Sequence, residues 1–461
     1  MGGLFVNSDK LITILGNNNY LKCNYDEFDN CVYIQEALIK KYKDEISEVV
    51  VFATKDSLDT NWSEGEDAEG NYDPGLKKTL ENLQEKEKFD FNFKPVKIPT
   101  GYSEKEIWEI FNLFVKEIEK NDNVYFDITH GFRYQQMLVM NILNYAKVLK
   151  NINIKSIDYG LFEKIGSFPE VKKMPVEERN AEILDLTAFD YLNDWVIAVD
   201  SFITTGRTDK INNLSMQQIG KKLSLGRKLE ESKYDFFKEL SKLVGKLQQF
   251  NIELKTSRGN VLNETIIEIL NTLKNIEEIQ EDANDKIAPF LKVFNKIKNK
   301  FIEFDEKDNK GINNYFKVLQ WCKKHELIQQ GLVILVENFI SLIAEELGYP
   351  YCPNQEFNND EFTLRDLRYD IEKCLVEVSN PDFTLEKSQY KTNKEVFNKI
   401  KSKLKDNYHD FVKIYGKIKN KRNDVSHFGM SNNSTTNAEQ LKKDFEGYVE
   451  QLEELIEQLD I

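Results

Sequence analysis

Short apolar or β-branched runs punctuate the first part of the chain: Leu11 to Leu15, Glu48 to Thr54, Phe91 to Ile98, Val124 to Ile128 and Ile154 to Phe162. Amphipathic stretches separate them, and this alternation predicts a parallel α/β sheet with helices on its faces. From Asp185 onward the pattern becomes helical. Trp195, Val199 and Phe202 form one face, and breaks fall near Gly206, Ser257 to Asn260 and Asp308 to Gly311. The run Gly331 to Leu347 predicts a core helix that ends at Gly348, and Glu337 lies within it. Leu441, Phe445, Val449, Leu452 and Ile456 predict a last amphipathic helix, with Thr436 and Glu439 at capping-box spacing. The expected division is an α/β domain over residues 1–180, an all-α connector over 181–330 and an all-α bundle over 331–461.

In such a sheet, ligands sit at the carboxyl ends of the strands, and several of those ends carry unusual residues. The first is followed by Gly16-Asn17-Asn18-Asn19-Tyr20, a run that tolerates left-handed backbone and can aim amides at an anion. The second ends at Thr54. The fourth is followed by Thr129-His130-Gly131-Phe132-Arg133, where a helix N-terminus preceded by Thr, His and Gly, with Arg in its first turn, suits a phosphate. These loops are expected to converge on one pocket. There is no GxGxxG fingerprint and no Walker lysine motif, so NAD binding and ATP hydrolysis are not supported. Between Asp56 and Asp73 an acidic, Gly-containing stretch reads as a mobile loop on the rim of the sheet.

The other candidate chemistry is near the C-terminus. Phe411, Ile414, Tyr415, Ile418 and Val425 mark one face of a helix, and Arg422 lies at the edge of that stripe, followed by Asn423 and by His427. Cleaving RNA needs a base for the 2′-hydroxyl, an acid for the leaving oxygen and positive charge for the phosphorane. A histidine titrates near neutrality, and an arginine holds phosphate bidentately while staying charged. Positions five apart on a helix diverge by about 140°. Arg422 and His427 therefore converge only if the helix ends between them or if two chains share a cleft, and the second is the favoured expectation.

Charge changes the picture locally. The 461-residue chain is 40% hydrophobic and 31% charged, with net charge −15, yet Lys387 to Arg422 holds twelve Lys or Arg against three acids. A local basic surface on an acidic protein can track phosphates. Five scattered cysteines without a CxxC pair and four histidines favour neither a disulfide framework nor a metal cluster. With no apolar run approaching a membrane span and no secretion signal, a cytoplasmic protein without membrane contact is expected.

Together, Asp127 to Arg133 after a strand, Gly16 to Tyr20 after the first strand, Asp185-Leu186-Thr187 opening the connector, and Arg422 to His427 make the chain resemble the ancillary ribonucleases of type III CRISPR systems. These join an N-terminal CRISPR-associated Rossmann-fold (CARF) domain to a C-terminal HEPN domain. The resemblance implies a Rossmann-like α/β domain, a helical connector and a HEPN helical bundle, arranged as a homodimer or higher oligomer without a stable protein partner. It implies a cyclic oligoadenylate activator, tetra- or hexaadenylate, bound by Gly16, Asn17, Asn18, Asn19, Tyr20, Thr54, Thr129, His130, Gly131, Phe132 and Arg133. It also implies cleavage of single-stranded RNA by Arg422, Asn423 and His427 with no catalytic cofactor or metal. A ligand-sensing regulator that binds DNA, and has no use for Arg422 and His427, is the alternative. Residues 207–330 carry no matching motif.

Overall fold

The computed structural model describes residues 8–131, 133–220, 223, 231–280, 288–308, 312–350, 359, 361–378, 390–407, 409–430 and 436–458. The chain divides into two compact units, Met1–Tyr191 and Leu192–Ile461.

The first unit is built on an eight-stranded, mostly parallel sheet of order β3-β2-β10-β9-β8-β1-β4-β7. The long strands β1 (Asp9–Leu15), β4 (Glu48–Ala53), β7 (Asn92–Lys97), β8 (Asn123–Asp127) and β9 (Asn153–Leu161) fall within two residues of the predicted runs. They run parallel, pairing as β7-β4-β1-β8-β9. Pro95 lies in β7, an edge strand, where a missing N–H is tolerated. Three shorter strands extend the other edge: β2 (Cys23–Tyr25), β3 (Phe28–Cys31) and β10 (Asn180–Asp185), the last antiparallel to β9. These are too short for periodicity to announce them.

Helices α1 (Ile34–Lys41), α2 (Gly75–Lys86), α3 (Glu104–Glu117) and α4 (Arg133–Lys150) connect the strands. Two apolar layers cover the sheet. One gathers Leu11, Val49, Val51, Leu38 and Leu80, and the other gathers Ile12, Val50, Phe52, Phe114 and Ile142. Successive residues of β1 and β4 therefore enter opposite layers, as the pleat requires when both faces are buried. The unit boundary falls inside α5 (Thr187–Thr205).

The second unit is helical throughout its described elements. After the short α6 (Asp209–Leu214) come α7 (Glu231–Lys255), α8 (Gly259–Gln280), α9 (Ala288–Phe301), α10 (Ile312–Lys324) and α11 (Ile328–Glu346). Helices α12 (Leu364–Val378), α13 (Lys394–Asn407), α14 (His409–Ser426) and α15 (Ala438–Gln458) complete it. One apolar cluster runs from Trp195 to Leu452 and includes members of nearly every helix. Helix α11 is long and apolar enough by length and composition to cross a membrane, contrary to the sequence expectation, and 61% of its apolar window is buried inside the unit. Its hydropathy reflects a core position. The cap of α15 also differs from expectation, because Asn437 rather than Thr436 accepts the bond from Gln440 N at 2.8 Å. Asn is at least as good an N-cap as Thr, and Thr436 instead accepts from Lys421 Nζ.

Candidate functional site

After β1 and the β2–β3 pair at the far edge, the chain adds β4 and then β7 on one side of β1 and returns to β8 on its other side. The strand order therefore reverses at β1 and β8, and the crevice beyond their carboxyl ends is where open α/β sheets take ligands. Gly16 follows β1, and Thr129 and His130 follow β8. The two loops touch: the Tyr20 and His130 rings lie 4.6 Å apart, and a Cβ on Gly16 would sit 3.7 Å from that of His130. Gly16 N donates to Tyr20 Oη at 2.7 Å, which closes the loop on itself. Gly131 adopts φ +109° with the Ile14 side chain beneath it, a conformation and a clearance that favour glycine.

Below the crevice lies a buried acid. Asp127 ends β8, accepting from Thr13 Oγ1 at 2.6 Å and from the Thr129 amide at 2.9 Å. Thr129 Oγ1 in turn accepts from Gly160 N at 2.8 Å, tying the loop to β9. Burial pushes the Asp127 carboxyl up to about 6, against which the bonds from Thr129 and Thr13 act. Desolvation likewise holds the His130 imidazole down to about 4, so it is a neutral aromatic surface at pH 7.

The sign of the Asp127 effect follows from linkage. A folded-state value above the unfolded value gives stability that is present below about 4 and lost as pH rises through about 6. Asp127→Asn removes that loss, worth up to about 3 kcal/mol. The variant is expected to melt higher than the wild type at pH 8, with the gap closing by pH 4 in thermal scans.

The acidic stretch 56–73 is ordered, not a mobile rim loop. It contains the turn Leu58–Trp62 and a small hairpin, β5 (Gly65–Glu66) and β6 (Tyr72–Asp73). Two of its acids hold the turns: Asp67 accepts from Glu69 N and Asn71 N at 2.8 Å, and Asp73 accepts from Gly75 N and from Tyr33 Oη. That use cannot be read from composition. The stretch also grips the first loop. Buried Asn61 donates to Gly16 O and to Asn18 O at 2.9 Å, Asn19 Nδ2 donates to Glu66 O, and Ala68 N donates to Tyr20 O. Asn61 escaped the sequence reading because nothing in an acidic stretch marks one amide as buried.

The two loops thus meet through Gly16, Tyr20 and His130 beyond the carboxyl ends of β1 and β8. Thr54 ends the neighbouring strand β4, where its hydroxyl accepts from Ser57 N and caps the following turn. Phe132 lies outside the described residues. Arg133 begins α4, but its side chain lies outside the described part.

The second candidate site is at the end of α14. Phe428 N bonds Val425 O at 3.0 Å and Gly429 N bonds Asp424 O at 2.9 Å, a Schellman closure that makes His427 the C-cap. The left-handed C′ position is taken by Phe428 at φ +57°, and its ring is 85% exposed. A β-carbon in that conformation costs about 1–2 kcal/mol. Arg422 is half-buried, and its Nε lies buried with no hydrogen-bond partner among the described residues. Asn423 and His427 are exposed, and no hydrogen bond joins the three side chains within the chain.

The surroundings of Arg422 are charged. The buried Tyr415 hydroxyl, whose pKa burial raises, lies in the field of Glu372, Glu337, Arg422 and Arg368. Glu337 pairs with Arg368 at 2.7 Å. Much of the basic run is engaged: Lys399 pairs with Glu395, Lys403 with Glu346, Lys419 with Glu372 and Lys421 with Asp444. The field left for a nucleic acid is smaller than the lysine count implies.

Residues 10–166 match the family model described as CRISPR system endoribonuclease Csx1, CARF domain. The CRISPR-associated protein MJ1674 of Methanocaldococcus jannaschii is 23% identical over 256 residues, which is 55% of this chain and 34% of that protein. The chain thus matches about a third of that relative's length. A solved structure, Enterococcus italicus Csm6 bound to cyclic hexa-2′-fluoro-hexa-dAMP, covers 97% of this chain and 94% of its own at 12% identity, with a TM-score of 0.44. The family match supports a CARF domain within the N-terminal unit.

Proposed function

We propose that this chain is a cyclic oligoadenylate-activated, metal-independent endoribonuclease acting on single-stranded RNA in type III CRISPR defence. The observation that carries the reading is the presence, in one chain, of a CARF-like N-terminal segment and of a helix end that carries half-buried Arg422, whose Nε has no hydrogen-bond partner among the described residues, with exposed Asn423 and His427. The domains would be a CARF sensor over 1–180, a connector over 181–330 and a HEPN nuclease over 331–461. A ring of adenylates would lie where the two loops meet, with a base against His130 and Tyr20 and phosphates near the Asn17 to Asn19 amides. The matching family model is described as the CARF domain of a CRISPR system endoribonuclease.

In the proposed reaction, His427 exchanges a proton with the 2′-hydroxyl or with the departing 5′-oxygen. Arg422 stabilises the phosphorane, and Asn423 orients the phosphate. The products would be a 2′,3′-cyclic phosphate and a 5′-hydroxyl. Because no hydrogen bond joins the three side chains among the described residues, the cleft would be completed by the same helix end of a second copy.

The test is cleavage of a fluorescent single-stranded RNA in EDTA with cyclic tetraadenylate, cyclic hexaadenylate or neither. Cutting that appears with one ring size supports the reading and names the activator. Silence with both rings, despite measurable ring binding, would favour a sensor that regulates without cutting.

A further inference from the structure

The cap of α14 has a feature that the proposed proton transfers do not use. Among the described residues Phe428 is the most exposed of the large apolar side chains, at 85%, and Met430 follows it at 80%. A lone exposed apolar residue needs no explanation. The backbone sets this one apart, because Phe428 at φ +57° and Gly429 at φ +67° are two successive left-handed residues. Three backbone bonds hold the turn: Phe428 N to Val425 O at 3.0 Å, Gly429 N to Asp424 O at 2.9 Å and Met430 N to His427 O at 3.0 Å. Helices place glycine or asparagine at such a C′ position, and a β-carbon there is strained. A ring left almost wholly in water returns little of that strain as packing. Strain kept without a packing return points to use outside the fold.

The neighbours limit what can use the ring. Consecutive Cα atoms are about 3.8 Å apart, so Phe428 begins one residue from His427, within a nucleotide's reach of its imidazole. A phosphodiester brought to His427 therefore brings a base with it. Charge favours such an anionic strand over an acidic protein surface, a second copy of this net −15 chain included. None of the exposed residues between Lys413 and Met430 is acidic, Lys413 and Lys417 are among them, and the single acid, Asp424, is half-buried. Phenylalanine has no hydrogen-bonding group, so it takes the face of any base without reading its edge.

We propose that Phe428 is a base-stacking platform that holds the nucleotide beside the scissile phosphate, an assignment that rests on the nuclease reading and adds a substrate-binding residue to it. Phe428 moves no proton. It favours single strands, whose base faces are free, over duplexes, whose base faces are covered, and it discriminates little among the four bases.

Holding and cutting are measured separately on the whole protein with cyclic tetraadenylate or cyclic hexaadenylate present. Cleavage of a single-stranded RNA gives kcat and KM, and fluorescence anisotropy gives Kd for the same RNA methylated at every 2′-hydroxyl, which is not cut. Phe428→Ala is expected to raise KM and Kd about tenfold or more, with kcat changed by less than about threefold. Phe428→Trp should restore both. Phe428→Gly should lose as much binding as alanine while melting about 2 °C higher, because it relieves the left-handed strain. A binding loss in a more stable protein excludes damage to the fold. Unchanged KM and Kd in Phe428→Ala, beside a wild type that cuts, overturns the proposal and leaves the nuclease reading standing. A Phe428→Ala protein that sediments as a monomer where the wild type is a dimer also overturns it, by assigning the ring to a contact between copies. A wild type that holds the methylated RNA through Phe428 and cuts nothing sinks the nuclease reading and keeps the stack, and one that neither holds nor cuts RNA sinks both.

Discussion

His427→Ala is expected to lower RNA cleavage by about 10²–10⁴-fold, the usual worth of a positioned proton-transfer group. Arg422→Ala should lose about 10²–10³-fold through the phosphorane, and lysine there should restore little, because a point charge lacks the bidentate fork. Neither change is expected to disturb folding much. His427 is exposed at the end of its helix, and Arg422 makes no ion pair among the described residues. Product formation with wild type and variants, in EDTA and with matched melting curves, checks this. A His427→Ala protein that still cuts at wild-type rate would remove the site from consideration.

The second large effect is expected at the crevice. His130 is neutral, half-buried and stacked near Tyr20, so it offers a base a flat partner rather than a charge. Losing one base–aromatic stack costs about 1–3 kcal/mol. His130→Ala should therefore raise the cyclic oligoadenylate concentration for half-activation by about ten- to a hundredfold, with unstimulated cleavage intact. Asn61→Ala should act in the same direction without touching the ring, because it frees two carbonyls of the Gly16 loop. Dose–response curves for the two variants decide the matter. Unchanged half-activation in both would mean that the activator binds elsewhere.

The parallel strands were legible because Val49 to Phe52 and Leu11 to Leu15 are apolar on both faces and long enough to stand out. The sites of the two loops followed from strand ends alone. What was illegible depended on contacts distant in sequence. The acidic hairpin is ordered through Asn61, Asp67 and Arg179, the last pairing with Glu69 at 2.6 Å. The lysines before Arg422 read as an open basic face, but four of them are paired. Periodicity reports which side of a helix is apolar and says nothing of which charges on the other side meet a partner.

The unbroken apolar cluster from Trp195 to Leu452 bears on how the helical unit can be handled. Gly331 lets α11 approach α15 so closely that a Cβ there would sit 2.2 Å from the Phe445 ring, and Val318, Leu319 and Cys322 of α10 belong to the same cluster. A fragment starting at residue 331 would expose those surfaces of α11 and α15 to water. That exposure is expected to lower the stability of the proposed nuclease portion when it is cut free, which melting curves of the fragment and the whole chain would compare.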